Sequence, residues 1–286
     1  LEEALSGADY VINMVQVGGF ASTLIDFEIP AKYGLKQTIA DTHGIGGVFR
    51  ALRTIPVVLQ ICRVMEERCP DALLINYSNP MAMNVWSAYS AAPVKVVGLC
   101  HSIQLTAMFL ANYAEIPYTE LSYRAAGINH LCWFVELKHL GADLYPRLLE
   151  MIEDDPLLYS SDRVRFEIMK NFGCFVSESS EHMAEYVPYF IPYDELIADL
   201  NIPINEYIRR CEELNELYIK NKKIARGELP LPPHDPSYEY APQIIYAMEL
   251  NRPATIYGNV RNTGLIPNLP GDCCGGSQRD PACIFR

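Results

Sequence analysis

Positive charge is in short supply in this 286-residue sequence: 23 lysines and arginines stand against 35 aspartates and glutamates, a formal charge of −12. That balance works against an unspecific hold on nucleic acid or on an anionic membrane. No uninterrupted apolar run reaches the roughly eighteen residues that a membrane span needs, and the first residues lack a basic segment followed by an apolar one. A cytoplasmic protein with small-molecule ligands is the expectation. CxxC and HExxH spacings are absent, as are internal repeats and low-complexity tracts. The nine cysteines are odd in number and scattered. Cys62, Cys132 and Cys211 fall inside apolar patterns where a reduced thiol behaves as a small hydrophobe, so a disulfide framework is not expected.

What is present has the grammar of an α/β protein. LEEALSGADYVINMVQVGG reads as the tail of a helix, a turn at Gly7, a buried strand from Tyr10 to Val15 and a glycine-containing loop. A chain opening on the last turn of a helix is expected to have lost sequence before it. After the polar loop IADTHGIGG, the segment Val48 to Arg68 repeats Leu52, Ile55, Val58, Leu59 and Met65 at helical spacing, with Pro56 as a kink point. Ala72 to Tyr77 and VKVVGLC are two further apolar runs, separated by a helix-like stretch from Met81 to Tyr89. Strand, helix, strand, helix, strand predicts a Rossmann-like doubly wound parallel sheet. Ligands of such sheets gather beyond the carboxyl ends of the strands, which puts the Gln16 loop, Asn79 and Cys100 on one edge. Beyond Glu120 the pattern changes to a strand from Cys132 to Leu137 and a mostly helical stretch from Leu144 to Lys223. Two parts follow: 1–120 as a dinucleotide-binding domain without its N-terminal portion, and 121–286 as a mixed α+β substrate and metal domain. LPLPPHDPS, 229–237, reads as a surface loop.

The residues able to carry chemistry cluster at strand ends. Cys100 and His101 follow a buried strand and precede SIQLTAMFLANY, so the thiol sits where a helix N-terminus favours a thiolate. The plain alternative is a strand-end cysteine beside a solvated histidine. His130 ends the turn AGINH and is either a hydrogen-bonded corner residue or a ligand. Together the two would form an open metal site, with substrate oxygens and water completing it. Asn79 in YSNP can face the cleft or merely make an Asn-Pro turn, and Asp41 can accept sugar hydroxyls or cap a helix. SESSEHMAEYVPYF gathers Glu181, His182, Glu185, Tyr186 and Tyr189 within a few helical turns, as an acid–base cluster or as a polar interface.

Taken in order, GADYVINMVQVGG, DFEIPAKYGLKQTIADTHGIGGVFRALRTIPV, PDALLINYSNPMAMN, GLCHSIQ, AGINH and ESSEHMAEYVPYF resemble family 4 of the glycoside hydrolases. CysHisSer followed by Ile looks most like its alpha-galactosidase branch, with the alpha-galacturonidases as near relatives. The family departs from the two-carboxylate rule of glycosidases. The resemblance implies a lactate/malate dehydrogenase-like fold, bound NAD, and a divalent metal, manganese first. It also implies a reaction in which hydride leaves C3, a base removes the C2 proton, and the glycosidic oxygen is expelled from C1. Carried over residue by residue, Cys100 and His130 are the metal ligands, Asn79 the sugar-binding amide and Asp41 the acidic substrate-cleft residue. His101 stands where phospho-glucosidase relatives carry a suspected general acid. Tyr186 is the expected base, with Glu181 and His182 as rivals, and Asn13 and Gln16 are the expected cofactor contacts. A homo-oligomer acting on a small-molecule glycoside is implied. Arg50, Arg53 and Arg124 keep a uronate substrate open. Two departures stand out. The glycine-rich NAD fingerprint is absent, and GGSQRDPACIFR lacks the family pattern, so a truncated or frame-shifted gene is expected. A 2-hydroxy acid dehydrogenase and a non-catalytic sugar-binding protein are the rival readings, separated from the first by their indifference to a chelator.

Overall fold

The computed structural model describes residues 1–233 and 238–279, of 277–279 the backbone only. Nine strands form one sheet: β1 (Tyr10–Asn13), β2 (Leu73–Asn76), β3 (Lys95–Gly98), β4 (Leu121–Ile128), β5 (Leu131–His139), β6 (Ala142–Asp143), β7 (Phe175–Val176), β8 (Ile256–Arg261) and β9 (Cys274–Arg279). Their order is β1-β2-β3-β8-β9-β4-β5-β6, with β7 paired to β5. The helices are α1 (Glu2–Leu5), α2 (Gly19–Ala31), α3 (Gly44–Arg68), α4 (Met81–Ala91), α5 (Ser102–Tyr113), α6 (Tyr145–Asp154), α7 (Pro156–Ser161), α8 (Arg163–Phe172), α9 (Ser180–Tyr186), α10 (Asp194–Asp199), α11 (Glu206–Ala225) and α12 (Tyr240–Glu249).

The parallel, doubly covered sheet is the fold class expected, and its apolar runs explain it. Leu73, Ile75 and Val97 enter a core shared with α5, α6, α8 and α12, while Leu74 and Val96 enter a second core with α3 and α4. A strand buried on both faces has no polar side to alternate with. Asn13 pairs with Asn76 and Asn76 with Gly98, so β1, β2 and β3 end level and their following loops leave from one edge. The sheet then reverses direction. β8 runs antiparallel to β3, and β9 links β8 to the β4–β5 hairpin, so the second half continues the first.

Several elements differ from expectation. α2 occupies a stretch without a helical reading, and α3 begins at Gly44, inside the loop IADTHGIGG, running through Pro56. By length and composition α3 could cross a membrane, yet 44% of that stretch is buried here, with Val58, Ile61, Cys62 and Met65 in the core. β4 replaces an expected turn region, and β9 brings Cys274 and GGSQR, the start of the off-pattern tail, into the sheet. The rest of that tail, 280–286, and residues 234–237 of the 229–237 loop lie outside the described residues. Among the described residues every cysteine is free, and Cys62, Cys132 and Cys211 are buried as expected.

Candidate active site

The level strand ends carry the site. Cys100 follows β3, and His101 is the residue at which α5 starts. His130 occupies the two-residue turn of the β4–β5 hairpin with φ +65, a left-handed conformation that few non-glycine residues adopt. The third contributor is Glu178, in the segment between β7 and α9. Cys100 Sγ lies 3.7 Å from Glu178 Oε1, and His130 Nε2 lies 3.5 Å from the same oxygen. Candidate ligand atoms of Cys100, His130 and Glu178 all fall within 4.8 Å of one another, as do those of Asp41, His130 and His182.

Behind the imidazole stands a hydrogen-bonded support. His130 Nδ1 is 2.9 Å from Thr42 Oγ1, and that hydroxyl donates to Asp41 Oδ1 at 2.8 Å. With the Thr42 proton committed to Asp41, Nδ1 is the donor to Thr42 and Nε2 turns towards Cys100 and Glu178, the arrangement expected of a ligating histidine. Asp41 also accepts from Tyr186 OH at 3.1 Å and from Asn79 Nδ2 at 2.9 Å. The Asn79 side-chain amide oxygen is buried and has no hydrogen-bond partner among the described residues. His182, buried, lies 3.4 Å from Glu178 Oε2 and 2.9 Å from Ser179 Oγ through Nδ1.

Electrostatics follow from this burial. Desolvation works to raise the Asp41 and Glu178 carboxyls, but His130 and His182 beside them hold both below the usual carboxylate range. Desolvation likewise opposes charge on His130, and Glu178, Cys100 and Asp41 outweigh it, raising the imidazole to about 10. Burial, then Asp41 and Glu185, push the Tyr186 phenol well above its ordinary range, so it is a proton donor.

A cleft of about 580 Å³ opens onto this cluster, lined by Asp41, Asn79, Cys100, His101, His130, Glu178 and His182 among others. Six residues singled out from the sequence therefore meet there: Asp41, Asn79, Cys100, His101, His130 and His182. His101 is exposed at the mouth, its Nδ1 3.7 Å from Glu239 Oε1. Tyr186 does not line the cleft; its OH meets Asp41 at 3.1 Å and lies 3.4 Å from His130 Nδ1, and its side chain lines a second cavity with Glu185 and His43. Asn13 is buried at the end of β1 and donates to Asn76 Oδ1 at 2.8 Å. Gln16 is exposed in the next loop and donates to Thr23 Oγ1 at 2.9 Å. Glu181 pairs with Arg210 at 3.3 Å, outside the cluster. The arginines kept open for a uronate are engaged elsewhere: Arg53 by Asp26, Arg124 by Glu136, and Arg50 with Tyr207 OH at 3.3 Å. Glu178 was not singled out. Its spacing of four from His182 in ESSEH is the signal that places both at one site.

The profile described as "Family 4 glycosyl hydrolase" matches residues 1–116, and that of the "Family 4 glycosyl hydrolase C-terminal domain" matches residues 125–274. The chain belongs to glycosyl hydrolase family 4. It is 49% identical over 277 residues to an alpha-galactosidase of Bacillus subtilis, covering 93% of this chain and 62% of that protein. It is 32% identical over 250 residues to an alpha-galacturonidase of Thermoanaerobacter italicus, covering 80% and 55%. The chain thus spans about six-tenths of the length of these family 4 relatives. A crystal structure of a 6-phospho-alpha-glucosidase from gut microorganisms, in complex with NAD and Mn2+, shares the fold: TM-score 0.76 at 20% identity, covering 98% of this chain and 66% of that one. The motif resemblance and its alpha-galactosidase and alpha-galacturonidase branch agree with these matches.

Proposed function

We propose that this chain hydrolyses O-glycosidic bonds, with an alpha-galactoside as substrate, by oxidation at C3, deprotonation at C2 and elimination at C1, followed by addition of water and return of the hydride to C3, using NAD and a divalent metal, manganese first. The observation that carries this reading is the convergence of a thiol, an imidazole and a carboxylate from three separate elements, Cys100, His130 and Glu178, in one cleft. A mixed donor set with open positions suits a catalytic divalent ion, and the Thr42 support behind His130 is what a ligating histidine needs. Bound there, such an ion supplies Lewis-acid polarisation of the sugar oxygens. For NAD, Gly18 and Gly19 open α2 at the carboxyl edge of β1 with positive φ, and a helix N-terminus is a position that suits a phosphate. NAD supplies a reversible hydride acceptor for the sugar; the described residues hold part of its site and not the glycine-rich fingerprint. Asn13 and Gln16, on that same edge, are the contacts we propose for it.

The protein's own groups divide the remaining work. Asn79, whose side-chain amide oxygen has no partner among the described residues, takes a sugar hydroxyl. Asp41 and Tyr186 act as a pair: the carboxylate accepts the C2 proton and the phenol steadies the carboxylate by its hydrogen bond. His101 at the mouth donates a proton to the departing alcohol. A neutral sugar is favoured over a uronate or a phosphate by the guanidinium groups. Arg210, the arginine lining the cleft, is engaged by Glu206 and Glu181. We place the division between the cofactor part and the substrate part near residue 120. A homo-oligomer in the cytoplasm belongs with this reading, and exposed Ile25, Ile29, Phe49 and Leu52 on α2 and α3 support assembly.

The test is hydrolysis of p-nitrophenyl alpha-galactoside with and without NAD and manganese under reducing conditions. Turnover that needs both and disappears in Cys100→Ser is expected. Turnover indifferent to both would replace this reading with a conventional glycosidase.

A further inference from the structure

We propose that Glu185 is a positioning residue that sets the place of Asp41 by clamping the loop before it. Its kinetic consequence rests on the glycosidase reading; the clamp itself does not. The Glu185 carboxylate accepts from three successive backbone N–H groups: Thr38 at 2.6 Å and Ile39 at 3.0 Å on Oε2, and Ala40 at 2.8 Å on Oε1. The Thr38 hydroxyl lies 2.6 Å from the Glu181 carbonyl and 3.1 Å from Glu185 Oε2. Three consecutive amides pointing at one carboxylate form an anion-binding concavity, and hydrogen bonds to an ionised acceptor are the strong kind.

The residue at the end of this run is the informative one. Ala40 has φ +53, a left-handed conformation that a residue with a Cβ holds only when its surroundings enforce it. Its N–H bond to Glu185 is such an enforcement, and Asp41 is the next residue. Glu185 and Tyr186 are adjacent on α9, so one helical turn grips the loop backbone and also presents the phenol that meets Asp41 at 3.1 Å. The far side of the loop is held independently, by Asn205 N–H to the Gln37 carbonyl and Tyr207 N–H to the Thr38 carbonyl, both at 2.9 Å. Loss of the Glu185 grip therefore releases the Ala40 turn and the Asp41 carboxylate with it, while the loop stays attached to α11.

The experiment compares the full chain with Glu185→Gln, Glu185→Ala and the double variant Glu185→Gln/Ala40→Gly. Glutamine keeps the shape but turns an NH2 group towards at least one donor; glycine at 40 makes the left-handed turn cheap. Three readouts are taken: amide hydrogen exchange at 38–40, the NMR signal of the Asn79 side-chain amide bonded to Asp41, and kcat and KM on p-nitrophenyl alpha-galactoside. Glu185→Gln is expected to speed exchange at Ala40 by at least about tenfold and to shift the Asn79 amide signal. It should lower kcat by on the order of a hundredfold with KM little changed, as for a catalytic group about 1 Å out of place. Ala40→Gly should recover part of the kcat and return the Asn79 signal. Unchanged exchange, or an Asn79 signal indifferent to Glu185→Gln, overturns the proposal, as does kcat unaffected while exchange accelerates. A wild-type chain inactive under all conditions would defeat the glycosidase reading, and the exchange and NMR readouts would still decide the clamp.

Discussion

Asp162 and Arg165 form a buried ion pair whose disruption gives a large effect. Both are about 4% exposed. Arg165 Nε donates to Asp162 Oδ2 at 2.6 Å, its NH1 donates to Thr106 Oγ1 at 3.0 Å, and its guanidinium lies over the Phe175 ring at 4.9 Å. Asp162 accepts in addition from Ser180 Oγ at 2.6 Å and Tyr113 OH at 3.2 Å. The pair therefore ties α8 to α5 and to the first residue of α9. Asp162→Ala leaves a guanidinium buried without its counter-charge, a loss of about 3–5 kcal/mol. The stranded Ser180 and Tyr113 hydroxyls add roughly 1 kcal/mol each. Against a total stability on the order of 5–15 kcal/mol, that is enough to leave the chain marginal. Urea unfolding measures it, and the double variant Asp162→Leu/Arg165→Met should cost less than Asp162→Ala alone, because no charge is left unpaired. A loss under about 1 kcal/mol for Asp162→Ala, or a double variant costing the sum of the singles, would refute the reasoning. Because Ser180 follows Glu178 by two residues, Asp162→Ala should also weaken manganese binding.

Three further outcomes are expected. A Cβ at Gly127 would come within 2.3 Å of the Leu131 carbonyl oxygen and 2.7 Å of Cys132 Cα, across the hairpin that presents His130. Gly127→Ala should lower stability by about 1–3 kcal/mol and reduce manganese affinity, both read by calorimetry. Glu178→Gln should weaken manganese binding by at least about tenfold without changing the urea midpoint much, since a second-row support of this size already costs 10–100-fold; an unchanged affinity would remove Glu178 from the ligand set. Glu206 accepts from Arg209 Nε at 2.9 Å and Arg210 Nε at 2.8 Å, and the Arg209 bond leads in pulling its pKa to about 2. A depressed folded pKa gives stability that is complete above the unfolded value of about 4.3 and is lost as pH falls towards 2. Glu206→Gln should flatten that acid-side decline, and an identical decline in both proteins would contradict it.

What the sequence disclosed, and what it hid, follows from packing. β1 is legible by its apolar run, although it is an edge strand that ends at Asn13 and leaves Ile12, Met14 and Val15 exposed, not buried as expected. β2 and β3 are legible because strands covered on both faces are unbroken apolar runs. α2 is not, because Ile25 and Ile29 stay half exposed while Asp26 and Thr23 are buried, which inverts the usual stripe. β4 hides in SYRAAGI, where small residues give no alternation, and β8 and β9 hide because their glycines depress any strand signal. Cys100, His130 and Asn79 were legible through their motifs at strand ends, and Asp41 through the motif of the loop before α3. Glu178 was masked by the denser acid and base groups after it. That Tyr186 stands behind Asp41 and not in the cleft depends on how α9 packs against the 38–41 loop, a long-range contact that local sequence does not specify.

Cys100, His130 and Glu178 are the proposed ligands of a divalent metal in the cleft that Asp41 and Asn79 also line. Manganese binding to the reduced chain, followed by electron paramagnetic resonance, tests this central assignment most directly. One bound ion per chain is predicted, weakened at least about tenfold by each of Cys100→Ser, His130→Ala and Glu178→Gln. Binding that survives all three substitutions would contradict the account.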